Sequence, residues 1–259
     1  MKFWKYSGAG NDFVLLEGEH RTYLDSKKVK FLCDRKFGVG ADGVLFVSKV
    51  STSEFKMNYL NADGGEVEMC GNGARACVHW FCTQNNIQNA NFTTATGASY
   101  KGNLLGPELA EVTMNELKDE NAIDVADFIT VQTSYYVNTG VPHTVLLLKD
   151  DQQLESTNWM ERAPGIRNDK RFASGCNVNF VKEIGLGKIA MRTFERGVEA
   201  ETLACGTGAV AAARLLKKLK GWNEIEIQVP GGTLVARFRS EDCWLSGPIN
   251  QVFLGNINL

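Results

Sequence analysis

Apolar and polar positions alternate along most of the chain in short bursts. KFWKY, DFVLLE, VLFVSK, FKMNYL, NFTTA and AEVTM in the first half have the length and the branched and aromatic content of β-strands. TVQTSYYV, TVLLLK, NVNFVKE, IAMRTF, EIEIQV and TLVARF repeat that character in the second half. Two segments break the pattern. NGARACVHWFCTQN and TGAVAAARLLKKLK are too long for strands and read as helices, the second stopped at Gly221. The turns GAVAAARLL are apolar on nearly every side, which suits a helix enclosed by sheet rather than one lying on a surface.

The halves are also copies of one another. The shift that carries Cys70 onto Cys205 carries Glu66 onto Glu201, Gly71 onto Gly206, Gly73 onto Gly208, Ala74 onto Ala209 and Ala76 onto Ala211. Upstream, the same shift places Phe37, Gly40, Tyr59 and Asn61 on Phe172, Gly175, Phe194 and Arg196 without a gap. The expected fold is α+β, with two structurally equivalent halves from an internal duplication, each a mostly antiparallel sheet wrapped around a central helix. The active site is expected in the cleft between the halves. The polar stretch from Glu116 to Asp127 suggests domains at 1–118 and 119–249, with the strand-like end of the chain, about 250–259, returning to the first.

Composition narrows the function by exclusion. The 28 basic and 30 acidic residues nearly balance and are scattered, which argues against nucleic-acid or membrane partners. There is no apolar run long enough to span a bilayer and no apolar leader after Met1, so a soluble cytoplasmic protein is expected. Seven cysteines, an odd number, do not suggest a disulfide framework, and none of them shows the C-x-x-C spacing of a zinc site. No metal is therefore expected. FGVGADG has the glycine spacing of a dinucleotide fingerprint, but a charged segment precedes it and a strand-like one follows, so its glycines read as turns.

The duplicated cysteines carry the chemistry. Cys33, Cys77, Cys82, Cys176 and Cys243 read as buried, inert residues, whereas Cys70 and Cys205 stand at helix N-termini, where unpaired N–H groups and the helix dipole favour negative charge. A thiol there ionises more readily than usual. The backbone N–H groups of Gly71, Asn72, Gly206 and Thr207 form anion sites beside the sulfurs. Two thiols with helix ends aimed at one carboxylate are suited to inverting a carbon acid. One thiolate takes the α-proton, the helix ends stabilise the enolate character that develops, and the opposite thiol returns a proton. No cofactor is needed for that.

SGAGNDFV, NADGGEVEMCGNGARA, CNVNF, FERG and ACGTGA, in that order along the chain, resemble the motifs of the diaminopimelate epimerase family. The resemblance implies a two-domain enzyme, usually a homodimer, that interconverts LL- and meso-diaminopimelate without pyridoxal phosphate on the lysine and cell-wall route. It implies Cys70 and Cys205 as the acid/base pair. It places the carboxylate at the reacting centre on the backbone of Gly71, Asn72, Gly206 and Thr207, and the remaining amino and carboxylate groups on Asn11, Asn61, Asn177, Glu195 and Arg196. His143 and Glu195 match positions that tune the cysteines. An Asn-lined site with one Arg and one Glu also matches the charges of a substrate with a second amino-acid end.

This chain departs from the family pattern at three places. Val141 precedes Pro142 where Asn is common, Gly43 stands where some members carry Gln, and ERGVEAETLAC is one residue longer than usual. Proline and hydroxyproline racemases share the CGxG elements and remain the alternative, though there the residue at position 72 is typically His. A non-catalytic amino-acid-binding module and a thiol redox protein are readings of other classes.

Overall fold

The first burst of alternation folds into Lys2–Gly8 (β1) and Asn11–Glu17 (β2), antiparallel with Trp4 opposite Leu15. They turn about Ala9 and Gly10, both at positive φ. Ser26–Cys33 (α1) follows, capped by Asp25, whose carboxylate accepts from the Lys28 N–H, and it buries Val29, Leu32 and Cys33. Gly43–Lys49 (β3), Glu54–Asn61 (β4) and Glu66–Val67 (β5) lead to Gly71–Asn85 (α2), and Asn89–Thr93 (β6), Ser99–Gly106 (β7) and Leu109–Thr113 (β8) complete the series. Next come Lys118–Ala122 (β9), Thr133–Asn138 (β10), Pro142–Leu147 (β11), Asn158–Arg167 (α3), Asn177–Gly185 (β12), Lys188–Glu195 (β13) and Ala200–Thr202 (β14). Gly206–Lys220 (α4), Glu224–Val229 (β15), Gly232–Arg239 (β16), Asp242–Pro248 (β17) and Asn250–Asn256 (β18) close the chain.

This computed structural model describes residues 1–156 and 158–259, which form two units, Met1–Thr113 with Ser246–Leu259, and Met114–Leu245. A boundary at 118/119 would cut β9, which pairs with β10 in the second unit. β18 pairs antiparallel with β1 in the first.

Pairing shows the duplication more plainly than sequence identity does. In the first unit β1 and β2 are antiparallel, β2 and β3 parallel, β3 and β4 antiparallel, β4 and β5 antiparallel, β4 and β6 parallel, and β6 and β7 antiparallel. The second unit repeats that series from β10 to β16, with β14 in the place of β5. The fold is α+β with duplicated halves.

Each long helix is the axis of its unit. α2 lies against β1, β2, β3, β4, β6, β7 and β8, and α4 against β10, β11, β12, β15 and β16. This enclosure explains the all-round apolar composition. Gly71 to Cys82 are buried without a break on α2, and Gly208 to Ala213 on α4. Small residues at the start of each helix let the sheet approach, and larger ones further along, such as Phe81 and Leu216, each contribute about 1.5–3 kcal/mol of burial. Both helices end on a left-handed residue, Asn86 after α2 and Gly221 after α4.

Candidate active site

The two cysteines occupy equivalent backbone positions. Cys70 is extended (φ −130°, ψ 114°) immediately before α2, and Cys205 (φ −128°, ψ 107°) immediately before α4. The carbonyl of each accepts the first helical bond, from Ala74 at 2.8 Å and from Ala209 at 2.9 Å. Neither sulfur serves as a cap. The first-turn N–H groups of Gly71 and Asn72, and of Gly206 and Thr207, therefore belong to open helix ends with no partner inside the helix.

In the second unit the side chains at the foot of α4 fix a direction of hydrogen bonding. Asn179 is fully buried. Its Oδ1 accepts from Thr193 Oγ1 at 3.0 Å, and its Nδ2 donates to the Thr144 carbonyl at 3.2 Å, so the amide has one orientation. The second Nδ2 hydrogen meets His143 Nδ1 at 3.0 Å, which makes that ring nitrogen the acceptor. A neutral imidazole then carries its proton on Nε2, which donates to Thr207 Oγ1 at 3.0 Å. The Thr207 hydroxyl, having accepted, is left to donate to Cys205 Sγ at 3.4 Å. His143 is neutral because burial, reinforced by the Arg196 charge, lowers its pKa to about 3, against the opposing bond from Asn179. Gly208 belongs to the same assembly, since a Cβ there would stand 2.3 Å from Asn179 Oδ1.

At the foot of α2 the shift-equivalent of Thr207 is Asn72, and its surroundings are different. Asn72 Nδ2 donates to Asn11 Oδ1 at 2.6 Å, and Asn11 Nδ2 donates to Asp42 Oδ2 at 3.1 Å. Asp42 also accepts from Arg35 at 2.9 Å. Asn72 Oδ1 accepts at 2.6 Å from Arg75 Nη2, whose guanidinium is wholly buried within the unit. Next to this chain Asp12 takes Lys5 at 2.6 Å and both Nη groups of Arg35.

The other expected residues make contacts within their own units. Asn61 ends β4 with an exposed side chain, while its backbone closes a turn with Gly64 and Gly65. Asn177 is buried; its Nδ2 donates to the Pro142 carbonyl at 3.0 Å and its Oδ1 accepts from the Arg196 N–H at 2.8 Å, so the amide ties β11 to the end of β13. Glu195 accepts from Thr202 at 2.8 Å. Arg196 donates to the Ser174 carbonyl at 3.1 Å.

The departures have local explanations. A Cβ on Gly43 would come within 2.4 Å of the Tyr59 ring and 2.5 Å of the Leu60 carbonyl, so no side chain fits there. The longer ERGVEAETLAC segment is taken up by a turn with Gly197 and Glu199 at positive φ, where Glu199 accepts from Arg167 at 2.8 Å. At Val141 the carbonyl accepts from the Thr139 N–H at 3.1 Å.

Cys33, Cys77, Cys82, Cys176 and Cys243 are buried. Burial raises all five thiols, to about 11 for Cys33, Cys82 and Cys176 and about 12 for Cys243. Among the described residues no cluster of three or more His, Cys, Asp or Glu could hold a metal ion, and no helix is long and apolar enough to cross a membrane. The sequence reading missed Asn179, Asp42 and Arg75. Arg75 alone carried a visible signal, as a charged residue inside the apolar run GARACVHWF.

A family model described as diaminopimelate epimerase matches residues 3–104 and 135–252. The chain belongs to the diaminopimelate epimerase family. A diaminopimelate epimerase from Methanocella arvoryzae is 37% identical, the alignment covering 100% of this chain and 97% of that one. One from Chlorobaculum tepidum is 36% identical over 98% and 100%. Membership makes the chain an isomerase of the epimerase type. Among solved structures, a putative phenazine biosynthesis PhzC/PhzF protein from Clostridium difficile superimposes with a TM-score of 0.75 at 14% identity, covering 100% of both chains. A probable proline racemase from Agrobacterium radiobacter K84 gives 0.69 at 12%, covering 100% of this chain and 93% of that one. Those two likenesses concern the fold, which the diaminopimelate epimerase family shares with them.

Proposed function

We propose that this protein interconverts LL- and meso-diaminopimelate by a cofactor-independent two-base mechanism, with Cys70 and Cys205 as the acid/base pair, in cytoplasmic synthesis of lysine and cell-wall precursors. The observation that supports it is the matched pair of cysteines. Each precedes an enclosed helix at the same backbone angles and sits beside open N–H groups. In this reading one thiolate removes the α-proton, the N–H groups of Gly71, Asn72, Gly206 and Thr207 bind the α-carboxylate as it gains enolate character, and the other thiol protonates the opposite face. The mechanism requires the two helix feet to reach one α-carbon. Asn11, Asn61, Asn177, Glu195 and Arg196 hold the remaining amino and carboxylate groups, and His143 and Glu195 tune the thiols. A homodimer is part of the proposal, and the exposed Val252, Phe253 and Leu254 on β18 offer an apolar surface for it.

The test is incorporation of deuterium at the α-carbon of LL-diaminopimelate in deuterated water, together with a panel containing proline and hydroxyproline. Cys70→Ala and Cys205→Ala should each lower turnover by about 10²–10⁴-fold. Full turnover in either variant would refute the two-base assignment, and faster turnover of proline would move the substrate to the racemase class.

A further inference from the structure

Arg75 is an anomaly in the fold. It is the largest fully buried side chain, with 0% exposure, in the second turn of a helix enclosed by sheet. Its Nη2 donates to Asn72 Oδ1, and Nε and Nη1 meet no acceptor among the described residues. A buried guanidinium is costly unless an anion answers it. The titratable groups that face α2 from the strands packed on it are Tyr6 on β1, against His79, Tyr59 on β4, against Phe13, and Tyr100 on β7, in the ring stack that reaches Phe81, while Lys5, Asp12 and Glu111 alternate with the residues that face α2 and point the other way. Both carboxylates are engaged elsewhere, Asp12 by Lys5 and Arg35, and Glu111 by Asn103 at 2.9 Å. Burial raises Tyr6 and Tyr100, so neither is an anion at neutral pH. The chain from Asn72 through Asn11 reaches a carboxylate only at Asp42, which Arg35 already pairs.

We infer that Arg75 is a positioning residue that answers a thiolate at Cys70: the buried guanidinium, anchored through Asn72 beneath the foot of α2, holds Cys70 ionised in the resting protein. When Cys70 ionises, its proton goes to solvent; no bond forms, and the guanidinium keeps all its protons. The electrostatics run the same way. Burial lowers the Arg75 pKa to about 10, and the negative charge of Cys70 is what raises it in opposition, so the guanidinium is charged at neutral pH and the attraction is mutual. At the foot of α4 the position equivalent to Arg75 is Val210, and Cys205 meets Thr207, which is bonded to a neutral His143 that feels the Arg196 charge. The duplicated feet therefore share a backbone and differ in the side chains inside the helix. The inference rests on the two-thiol reading for its catalytic meaning.

Iodoacetamide alkylation of Cys70, followed by peptide mass spectrometry as a function of pH, tests it without turnover. Wild-type Cys70 should react as a thiolate well below the ordinary thiol midpoint of about 8.5. In Arg75→Met the midpoint should move up and the rate at pH 7 should fall about tenfold or more, one pKa unit being tenfold, while Arg75→Lys, which keeps the charge, recovers most of it. In turnover, Arg75→Met should lower kcat more than it raises KM. A wild-type midpoint at or above the ordinary value overturns the inference whether or not the variants fold. So does a folded Arg75→Met with an unchanged profile. Failure of wild-type deuterium incorporation would instead remove the epimerase reading and leave the alkylation result standing.

Discussion

The neutral His143 makes the protein's stability depend on pH on the acid side. Its pKa in the folded protein is about 3 because burial, then the Arg196 charge, disfavours the imidazolium; in the unfolded chain it is about 6.5. Below about pH 6.5 the unfolded state takes up a proton that the folded state refuses, so stability falls as pH falls, down to about pH 3. Each pH unit in that window costs about 1.4 kcal/mol, which puts the loss between pH 7 and pH 5 at about 2 kcal/mol. Asp12, in the other unit, is held at about 2 and titrates below that window. Urea denaturation of the wild type and of His143→Gln, followed by tryptophan fluorescence at pH 7 and pH 5, isolates the effect, since every other group is common to both. Gln can still donate to Thr207 but does not titrate. The variant should be less stable at pH 7 and lose about 2 kcal/mol less on acidification. Equal losses in the two proteins would show that His143 is not held neutral and would undo the donor chain to Cys205.

Two further perturbations probe the framework around the feet. Gly208→Ala places a methyl where Asn179 Oδ1 stands; displacing that amide strands buried partners on Thr193 and His143 and should cost about 2–4 kcal/mol in urea denaturation, with kcat falling alongside. A variant of wild-type stability would mean the amide relocates freely. Asp12→Asn removes the partner of Lys5 and Arg35. Burial opposes ionisation of Asp12, yet Arg35 and Lys5 hold its carboxyl at about 2. The variant should therefore lose about 2–4 kcal/mol at pH 7, and its deficit should shrink as pH drops from about 4 towards 2, where the wild-type carboxylate itself protonates.

Much of the fold was legible because each strand needs only an alternating face and each central helix only a long apolar run. SKKVKFLC was not legible as α1, since a helix of eight residues with three lysines shows only Val29, Leu32 and Cys33 as its apolar stripe. Nor was α3, which carries Pro164 inside it and three buried side chains. The cysteines were legible because duplication wrote the same motif twice. The side chains that answer them were not, because their contacts are made by pairing and not by spacing. Asn179 meets His143 only once β11 and β12 run parallel with Val145 opposite Asn179. Gly43 stands where some family members carry Gln because the Tyr59 ring from the neighbouring strand fills the space, which only strand pairing reveals. A charged residue on a helix ordinarily faces water, and only the sheet closing over α2 puts Arg75 inside.

The unequal answers to the two cysteines, a guanidinium under one and a neutral hydroxyl beside the other, have a bearing on reversibility. An inversion run forwards and backwards begins from opposite protonation states of its two bases, so unequal bases make one direction start from the favoured state and the other from the disfavoured one. The equilibrium between two stereoisomers is indifferent to the catalyst, which ties together the kcat/KM values of the two directions at every pH. On the proposed two-base mechanism, what the asymmetry of Arg75 and Thr207 changes is where enzyme accumulates at saturation: the duplicated backbone supplies two equivalent places for a base, and the unmatched side chains decide which form of the protein waits for which substrate.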